Sequence, residues 1–298
     1  MTNFQQKRIG LLFGSFVADA LSLGVHWIYD VKELSQKFGY IDRYYAPGVD
    51  SYHPKKEAGD QGHVGDQALC LNNFFVEKGE WNQAAFMEAW TKMWAGYEDY
   101  FDHATKTTLA NLETGKPLTE AASNSSELAG PARITPLVAF LANESEATVV
   151  QAAVEQTVIT HHSPEAIATS EFLARASYQI LHGAELKSTL ETTAPEWALE
   201  KAKAVIDLDA IAAIAQLGQS CSIEKALPAV IYLALKFGDD IPKAFSENAM
   251  AGGDNCARAL SLGMLLGATH GAHAIPGHWI SQLRARRELK GLLARVPS

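Results

Sequence analysis

The amino-acid sequence predicts an all-α protein that forms a single multi-helix domain. Apolar residues recur at three- and four-residue steps along most of the chain, strand-like alternation is weak, and alanine and leucine are frequent in the second half. The 298 residues contain no flexible interdomain linker and no repeat of solenoid length, and a hydrophobic content of 47% is enough for a substantial core. We therefore expect one domain over residues 1–298.

The first predicted helix has apolar residues from Ile9 to Leu21 on one wide face. Breaks are expected near 43–66, 114–131, 182–196 and 248–254, and the first is long enough to be a functional loop. The same periodicity predicts further helices over roughly 68–77, 84–98, 104–113, 132–142, 146–159, 164–181, 197–216, 222–236, 240–247 and 255–273.

The last of these helices carries Gly263, Gly267 and Gly271 at intervals of four. One edge is thus nearly bare of side chains, which predicts that another helix approaches it closely. The apolar run is shorter than the ~20 residues that a membrane span needs, so we interpret it as a core helix.

The composition argues against some classes of binding partner and favours one cellular compartment. The net charge of −9, from 25 basic and 34 acidic residues, disfavours nonspecific binding to nucleic acid or anionic membranes. The three cysteines fit neither a disulfide framework nor a zinc motif, which favours a reducing compartment. No export signal is apparent at the N-terminus, so a cytoplasmic protein is expected. The sequence makes no prediction of oligomeric state.

Two glycine-aspartate pairs precede predicted helices. Gly252 and Gly253 permit positive φ, and Asp254 follows them at the mouth of an apolar helix; Gly65 and Asp66 repeat the arrangement. The two carboxylates could share a hard cation or fix a ligand between them. The alternative is that each aspartate only caps its own helix.

Two further features lie in and just after the first helix. Asp19 is at the edge of the apolar stripe, and a semi-buried carboxylate needs a partner, whether structural or functional. The run from His26 to Asp30 holds an imidazole, the rings of Trp27 and Tyr29, and a carboxylate. Such a cluster could line a pocket, although this composition also closes ordinary helix ends.

Three other candidates have a structural alternative. Arg133 could bind a phosphate or carboxylate, or form an internal salt bridge. His161 and His162 are adjacent, which is poor geometry for joint metal binding and favours one packing or capping histidine. Cys256, in the first turn of its helix, could be a nucleophile with a lowered pKa, although a buried small cysteine is the commoner case.

The order of these segments resembles the ADP-ribosylglycohydrolase family, which includes the J-type lens crystallins. Gly10 through Leu21 is similar to the family's opening helix that ends in G-D-A-x-G, and Thr160-His161 with Pro164 is similar to its T-H-x-x-P. Two other segments resemble longer family motifs: Gly130 to Pro136 resembles N-G-x-x-M-R-x-x-P, and Gly252 to Ala257 resembles G-G-D-T-D-T. Two shorter matches follow, because Gly267-Ala268 resembles the family's G-A, and Ile275-Pro276 together with Trp279 resembles its I-P-x-x-W.

The resemblance implies an orthogonally packed all-α domain whose cleft holds the ribose of ADP-ribose beside two magnesium or manganese ions. Only part of the ligand set carries over. The family's T-D-D falls on Val64-Gly65-Asp66 and its D-T-D-T on Asp254-Asn255-Cys256-Ala257, while an expected acidic residue falls on His26. Asp66 and Asp254 remain as metal ligands, so we expect one weakly bound Mg²⁺ or Mn²⁺, or none.

The functional expectation is a hydrolase that cleaves the glycosidic bond of an ADP-ribosyl or related nucleotide-sugar conjugate. The alternative is a non-catalytic ADP-ribose binder or a structural, crystallin-like protein. The expected catalytic residues are Asp254, His26 and Asp66, with His26 or Asp254 as general base. The residues expected to bind substrate are Asp19, Trp27, Tyr29, Arg133, His161, Gly252, Gly253, Asn255 and Cys256.

Overall fold

The computed structural model describes residues 2–117 and 120–296, and the elements in these ranges are helical. Two isolated β-bridges, between Ser123 and His161 and between Glu127 and Ser222, are the only β pairing within them. This confirms the all-α prediction. The α-helices are α1 Asn3–Leu23, α2 Val31–Phe38, α3 His63–Lys78, α4 Gln83–Trp94, α5 His103–Glu113, α6 Ala129–Ala132, α7 Thr135–Phe140, α8 Glu146–Thr157, α9 Pro164–Leu181, α10 Leu186–Thr193, α11 Glu196–Ala204, α12 Ala210–Leu217, α13 Ile223–Phe237, α14 Ile241–Met250, α15 Cys256–His270, α16 Gly277–Gln282 and α17 Arg286–Leu293.

Most predicted helices are present, and the differences concern where helices begin, which of them are divided and one helix inside a predicted break. The helix predicted over 197–216 is divided into α11 and α12, because the Asp209 side chain accepts from Ala212 N and starts a new helix. The helix predicted over 132–142 is likewise divided into α6 and α7, and the predicted break near 182–196 contains α10. α3 begins at His63, five residues earlier than predicted, and shortens the long loop.

Helices α1 and α15 form the centre of the fold and touch through their backbones. A Cβ placed at Gly14 would lie 2.6 Å from the Gly263 carbonyl oxygen, and one placed at Gly267 would overlap the Gly10 carbonyl. The close approach predicted from the glycines is therefore confirmed, with α1 as the partner helix. Ser15 Oγ adds a hydrogen bond of 2.9 Å to the Leu260 carbonyl across the same contact.

The packing of α1 on α15 places two loops side by side. The loop after α1 begins at Gly24, and the loop before α15 contains Gly252 and Gly253. Among the described residues, no helix is both long and apolar enough to cross a membrane.

Candidate active site

The two loops are joined by a reciprocal pair of backbone hydrogen bonds. Trp27 N donates to the Gly253 carbonyl (2.9 Å), and Gly253 N donates to the Ile28 carbonyl (2.8 Å). Gly252 and Gly253 have φ of 64° and 68°, which confirms the predicted positive φ. Both glycines shape the loop through their backbone, and neither is among the residues that line the cleft beside Asp254.

Buried Arg258 holds the second loop in place. Its guanidinium donates from Nη2 to the Gly252 carbonyl (2.7 Å) and from Nε to Asn248 Oδ1 (3.1 Å). Asn248 in turn donates to the Asn255 carbonyl (3.0 Å). The backbone on both sides of Asp254 is thereby fixed by side chains from α14 and α15.

Trp27 connects the two loops through its side chain. It has φ of 62°, and it is the one non-glycine residue with positive φ in the described part of the chain. A non-glycine residue in this region typically costs about 1–3 kcal/mol and persists where its surroundings hold it. Here the indole Nε1 donates to Asp254 Oδ2 (3.0 Å), which fixes both side chains in one orientation.

A cleft of about 450 Å³ opens beside Trp27 and Asp254. Trp27 contacts the rings of Tyr52 and Tyr100 edge to face, with centroids 5.0 and 4.7 Å away, and Tyr29 is also part of the wall. Asp254 shares the cleft with two other carboxylates, Asp102 and Glu127, and with the imidazoles of His63 and His103. Of the described residues that line it, none is a lysine or an arginine.

The carboxyl of Asp254 is buried at the edge of this cleft. Burial raises its pKa to about 6, while the hydrogen bond from Trp27 and the positive charge of Arg258 act in the opposite direction. A carboxylate with this pKa is mostly ionised at neutral pH and more basic than an exposed aspartate. Asp254 can therefore accept a proton from a bound hydroxyl or water.

Arg133 is not at the cleft but behind it. It is 1% exposed, and its two terminal nitrogens donate to Gln67 Oε1 and Thr160 Oγ1. Gln67 in turn donates a hydrogen bond from Nε2 to Asp102 Oδ2 (3.0 Å). The predicted phosphate contact is corrected accordingly: Arg133 holds Gln67, which orients the Asp102 carboxylate.

His161 also lies away from the cleft. It is fully buried, shares a hydrogen bond with Thr160 Oγ1 (2.8 Å), and packs so closely on Gly130 that a Cβ there would lie 2.6 Å from its Cγ. Burial, followed by the charge of Arg133, lowers the pKa of His161 below its ordinary value, so the ring is neutral. Of the two readings, the packing histidine agrees with this geometry, whereas the substrate contact does not.

Asp66 is separated from Asp254 and lines a different cavity, next to Leu69, Cys70 and Tyr97. Its Oδ2 is held by the Lys56 ammonium (2.5 Å) and by the Tyr97 hydroxyl (2.6 Å). The prediction that Asp66 and Asp254 share one cleft is corrected for this reason. The capping alternative is also wrong, because the N-cap positions of α3 and α15 are occupied by Gly62 and Asn255.

The Lys56 contact leads to a stability prediction. We expect Lys56→Met to lower the free energy of unfolding by about 2 kcal/mol, because it leaves the mostly buried Asp66 carboxylate without its cation. The double variant Lys56→Met/Asp66→Asn should recover most of this loss. Urea denaturation at pH 7 measures both, and Lys55→Met, which breaks the exposed pair with Glu98, serves as the control with little change. Equal effects of the Lys55 and Lys56 variants would contradict the prediction.

Asp19 and Cys256 line neither of the two cavities. Asp19 is fully buried, and its Oδ2 accepts from Gly62 N (2.9 Å) and, with the Gln61 amide oriented so that both its ends are satisfied, from Gln61 (2.8 Å). Burial, followed by the neighbouring Asp19, raises the pKa of Cys256 well above its ordinary value. The structure agrees with the favoured alternative, a buried small cysteine, and not with a nucleophile of lowered pKa, since burial outweighs the helix dipole.

Asp19 gives a second stability prediction, with a defined pH window. Burial raises its pKa from 3.8 to about 7, so the native state keeps the proton that the unfolded state loses from about pH 4 upward. Asp19 therefore reduces stability progressively between about pH 4 and pH 7 and by a constant amount above pH 7. Asp19→Asn lacks this loss. The free energy of unfolding of Asp19→Asn, relative to that of the natural chain, should therefore increase by up to about 4 kcal/mol between about pH 4 and pH 7.

Denaturant titrations of both proteins at about pH 4, 5.5, 7 and 8.5 measure this difference directly. The other groups that titrate in this range are common to the two proteins, so their contributions cancel in the difference between the two free energies of unfolding. A difference that does not change with pH would show that Asp19 is ionised in the folded chain.

His26 and Asn255 are next to the cleft but covered by Trp27. The His26 ring stacks on Trp27 with a centroid distance of 4.1 Å, and its Nδ1 shares a hydrogen bond with Asn255 Oδ1 (3.0 Å). Burial lowers the pKa of His26 well below its ordinary value. The predicted role of His26 as a base that touches substrate is therefore not supported, and Asn255 orients His26.

Sequence reasoning missed several residues of the cleft. Tyr52 lies in the long loop over 43–66, while Tyr100, Asp102 and Glu127 come from connections between helices. None of them belongs to a spaced motif. The long loop itself was the available signal, because aromatic residues in such a loop indicate a binding surface.

The donor set does not fit the two magnesium or manganese ions that the resemblance implies. Lys56 already neutralises Asp66, and Asp254 is bonded to Trp27 in another cavity. Gly65 offers no side chain, and a Cβ there would overlap Asp19 Oδ2. Cys256 and Ala257 contribute no hard oxygen ligand from their side chains.

The fold and these segments define a protein of the ADP-ribosylglycohydrolase class. The family described as ADP-ribosylglycohydrolase matches residues 1–297, so the chain belongs to this family. Among its relatives are crystallin J1A and crystallin J1B of Tripedalia cystophora, 24% and 22% identical over 93% of this chain and 92% of each relative. A solved structure described as an ADP-ribosylglycohydrolase-related protein complex has the same fold, with a TM-score of 0.75, 23% identity and coverage of 99% of this chain and 98% of that one.

Proposed function

We propose that the chain is a hydrolase of the ADP-ribosyl type, in which the Trp27–Asp254 cleft binds the ribose and the leaving group and Asp254 is the general base. The observation that carries the proposal is the buried Asp254 carboxylate, oriented by Trp27 beside two other carboxylates in an aromatic cleft. Hydrolysis of a glycosidic bond generally uses two carboxyl groups, one as acid and one as base or nucleophile.

The three carboxylates have unequal freedom to take part. Asp102 caps α5 by accepting from Thr105 N (2.6 Å) and also accepts from Gln67, so both of its oxygens are engaged. Glu127 is only half-buried, and its Oε1 accepts a weak bond from the Cys221 thiol (3.3 Å). We assign Asp254 the role of base and Glu127 that of proton donor to the leaving group, with Asp102 adding negative charge.

The electrostatics of the cleft favour one end of the substrate over the other. Carboxylates and aromatic faces attract a cation or the positive charge that develops on ribose in the transition state. A diphosphate would be repelled by the Asp102 and Asp254 carboxylates. The substrate that fits best therefore places its ribose and a basic leaving group, such as a guanidinium, inside the cleft and its phosphates outside.

A non-catalytic ADP-ribose binder is the second candidate. This candidate is favoured by the Lys56–Asp66 pair. Asp66 aligns with a metal-ligand carboxylate of the family, and in this chain the Lys56 ammonium already binds that carboxylate in place of a metal ion. Names of relatives such as crystallin J1A agree with a use of this scaffold apart from catalysis.

Two assays on the same preparation separate the candidates. ADP-ribosyl-arginine is incubated with the chain and ADP-ribose release is followed, while calorimetry measures ADP-ribose binding. The hydrolase predicts both release and binding, and Trp27→Leu should weaken both whereas Trp197→Leu, at an exposed site elsewhere, should weaken neither. Binding without release supports the binder. Absence of both would contradict the assignment of this cleft.

A further inference from the structure

Three buried histidines converge behind the wall of the cleft. One ligand atom from each of His26, His53 and His63 lies within 4.8 Å of the others. The three residues are 7%, 1% and 3% exposed, and they come from the loop after α1, the long loop and the start of α3. Sequence spacing gave no sign of this cluster, because the three positions are brought together only by the fold.

One ring nitrogen of each histidine is buried and has no hydrogen-bond partner. These atoms are His26 Nε2, His53 Nε2 and His63 Nδ1. Buried polar atoms are almost always paired, so three unpaired nitrogens in one cluster require an explanation. Three imidazole nitrogens within a few ångströms of one another are a set of ligands that a metal ion can use.

The opposite nitrogen of each ring is next to an oxygen. His53 Nδ1 lies 3.0 Å from Asp99 Oδ1, His26 Nδ1 lies 3.0 Å from Asn255 Oδ1, and His63 Nε2 lies 4.0 Å from Asp102 Oδ2. For His26 and His53 the oxygen is at hydrogen-bond distance, so it can hold the proton on that nitrogen and leave the other nitrogen free to bind a metal ion, whereas the His63 contact is longer than a hydrogen bond. Metal-binding histidines in proteins almost always have such a partner.

We propose that His26, His53 and His63 bind one divalent transition-metal ion of the zinc type. Imidazole suits zinc, cobalt and nickel, whereas magnesium prefers oxygen ligands. Zinc–nitrogen bonds of ~2.0–2.1 Å in a tetrahedron separate the nitrogens by roughly 3.3 Å, so the rings close by no more than about 1.5 Å on binding. No fourth histidine, cysteine or acidic residue within the described ranges joins the group, and water takes the fourth position.

This site is distinct from the family's carboxylate site. It uses neither Asp66 nor Asp254, and its nearest link to the cleft is His63, which also lines the cleft wall. Binding of the ion can be measured without any turnover, so its test is independent of the proposed hydrolase.

The experiment titrates the chelator-treated full chain with zinc and with cobalt. The expected result is one ion per chain by calorimetry, together with the intense visible absorption of four-coordinate cobalt. Magnesium should not compete. His53→Ala and His63→Ala should each weaken zinc binding at least about 100-fold, and Asp99→Asn, which removes the charge behind His53, about 10-fold.

His103→Ala is the matched control, because this exposed histidine lines the same cleft but is outside the cluster. It should bind zinc as the natural chain does. Circular dichroism of each metal-free variant shows whether it is folded, and the natural chain gives a result even if a variant unfolds. The proposal would be overturned if the natural chain bound no zinc, if the bound cobalt were six-coordinate, or if His103→Ala and a folded His53→Ala lost zinc affinity equally. A single bridging water would then account for the three unpaired nitrogens.

Discussion

Asp254→Asn is expected to lower kcat/KM for ADP-ribosyl-arginine by at least about 100-fold while the fold is retained. The side chain keeps its size and can still accept the Trp27 indole hydrogen bond, so only the basic oxygen is lost. Removal of a positioned general base typically costs 10²–10⁴-fold. The ADP-ribose release assay measures the loss, and calorimetry should show that ADP-ribose binding is much less affected.

The pH dependence gives the same prediction a second readout. A base must be deprotonated to act, and the pKa of Asp254 is raised to about 6 by burial. We therefore expect kcat/KM of the natural chain to fall about tenfold per pH unit below pH 6. Asp254→Asn should lose this limb of the profile.

Asp66→Asn is the informative comparison for this prediction. Asp66 aligns with a metal ligand in the resemblance, yet it lies in another cavity and is paired with Lys56. Its substitution should change turnover by less than about threefold when assayed well below the unfolding temperature, since it contacts no group in the cleft. If Asp66→Asn abolished turnover and Asp254→Asn did not, the assignment of the base would be wrong.

Gly267→Ala is expected to lower the free energy of unfolding by more than about 4 kcal/mol. Glycine to alanine inside a helix ordinarily stabilises it by up to about 1 kcal/mol. Here the new Cβ would overlap the Gly10 backbone, so α1 and α15 would have to separate along their whole contact. Overpacking of a core typically costs about 1–3 kcal/mol and occasionally more, and we expect a cost above this range because the new atom meets backbone on the facing helix.

Gly291→Ala in α17 is the control, because a Cβ there meets only the Val76 methyl groups at 3.4 and 3.7 Å. It should be as stable as the natural chain or slightly more stable. Guanidinium denaturation measures both variants. A Gly267→Ala protein with natural stability would contradict the backbone contact between α1 and α15.

The sequence predicted the fold because the relevant signals are local. Apolar periodicity located α1, α8, α9 and α13, and the spacing of Gly263 and Gly267 predicted the close helix contact. Short polar helices such as α2 and α10 escaped detection because they bury few residues. Their stability comes from caps such as Asp30 and from packing, which periodicity does not reveal.

The site was predictable only in part, since its composition depends on long-range contacts. Asp254, Trp27 and Tyr29 were identified from their own segments and do line one cleft. Arg133 and Asp66 were assigned roles by their type and by the resemblance, but their partners Gln67 and Lys56 decide what they do. No rule based on spacing indicates that an ammonium ten residues away neutralises Asp66.

The most direct test of this account is a crystal structure of the natural chain with ADP-ribose bound. We expect the ribose to lie between Trp27 and Asp254, with its hydroxyl groups within hydrogen-bond distance of the Asp254 carboxylate and its phosphates outside the acidic part of the cleft. Density for the ligand beside Asp66 and Lys56 instead, with the Trp27 cleft unchanged, would contradict the central claim.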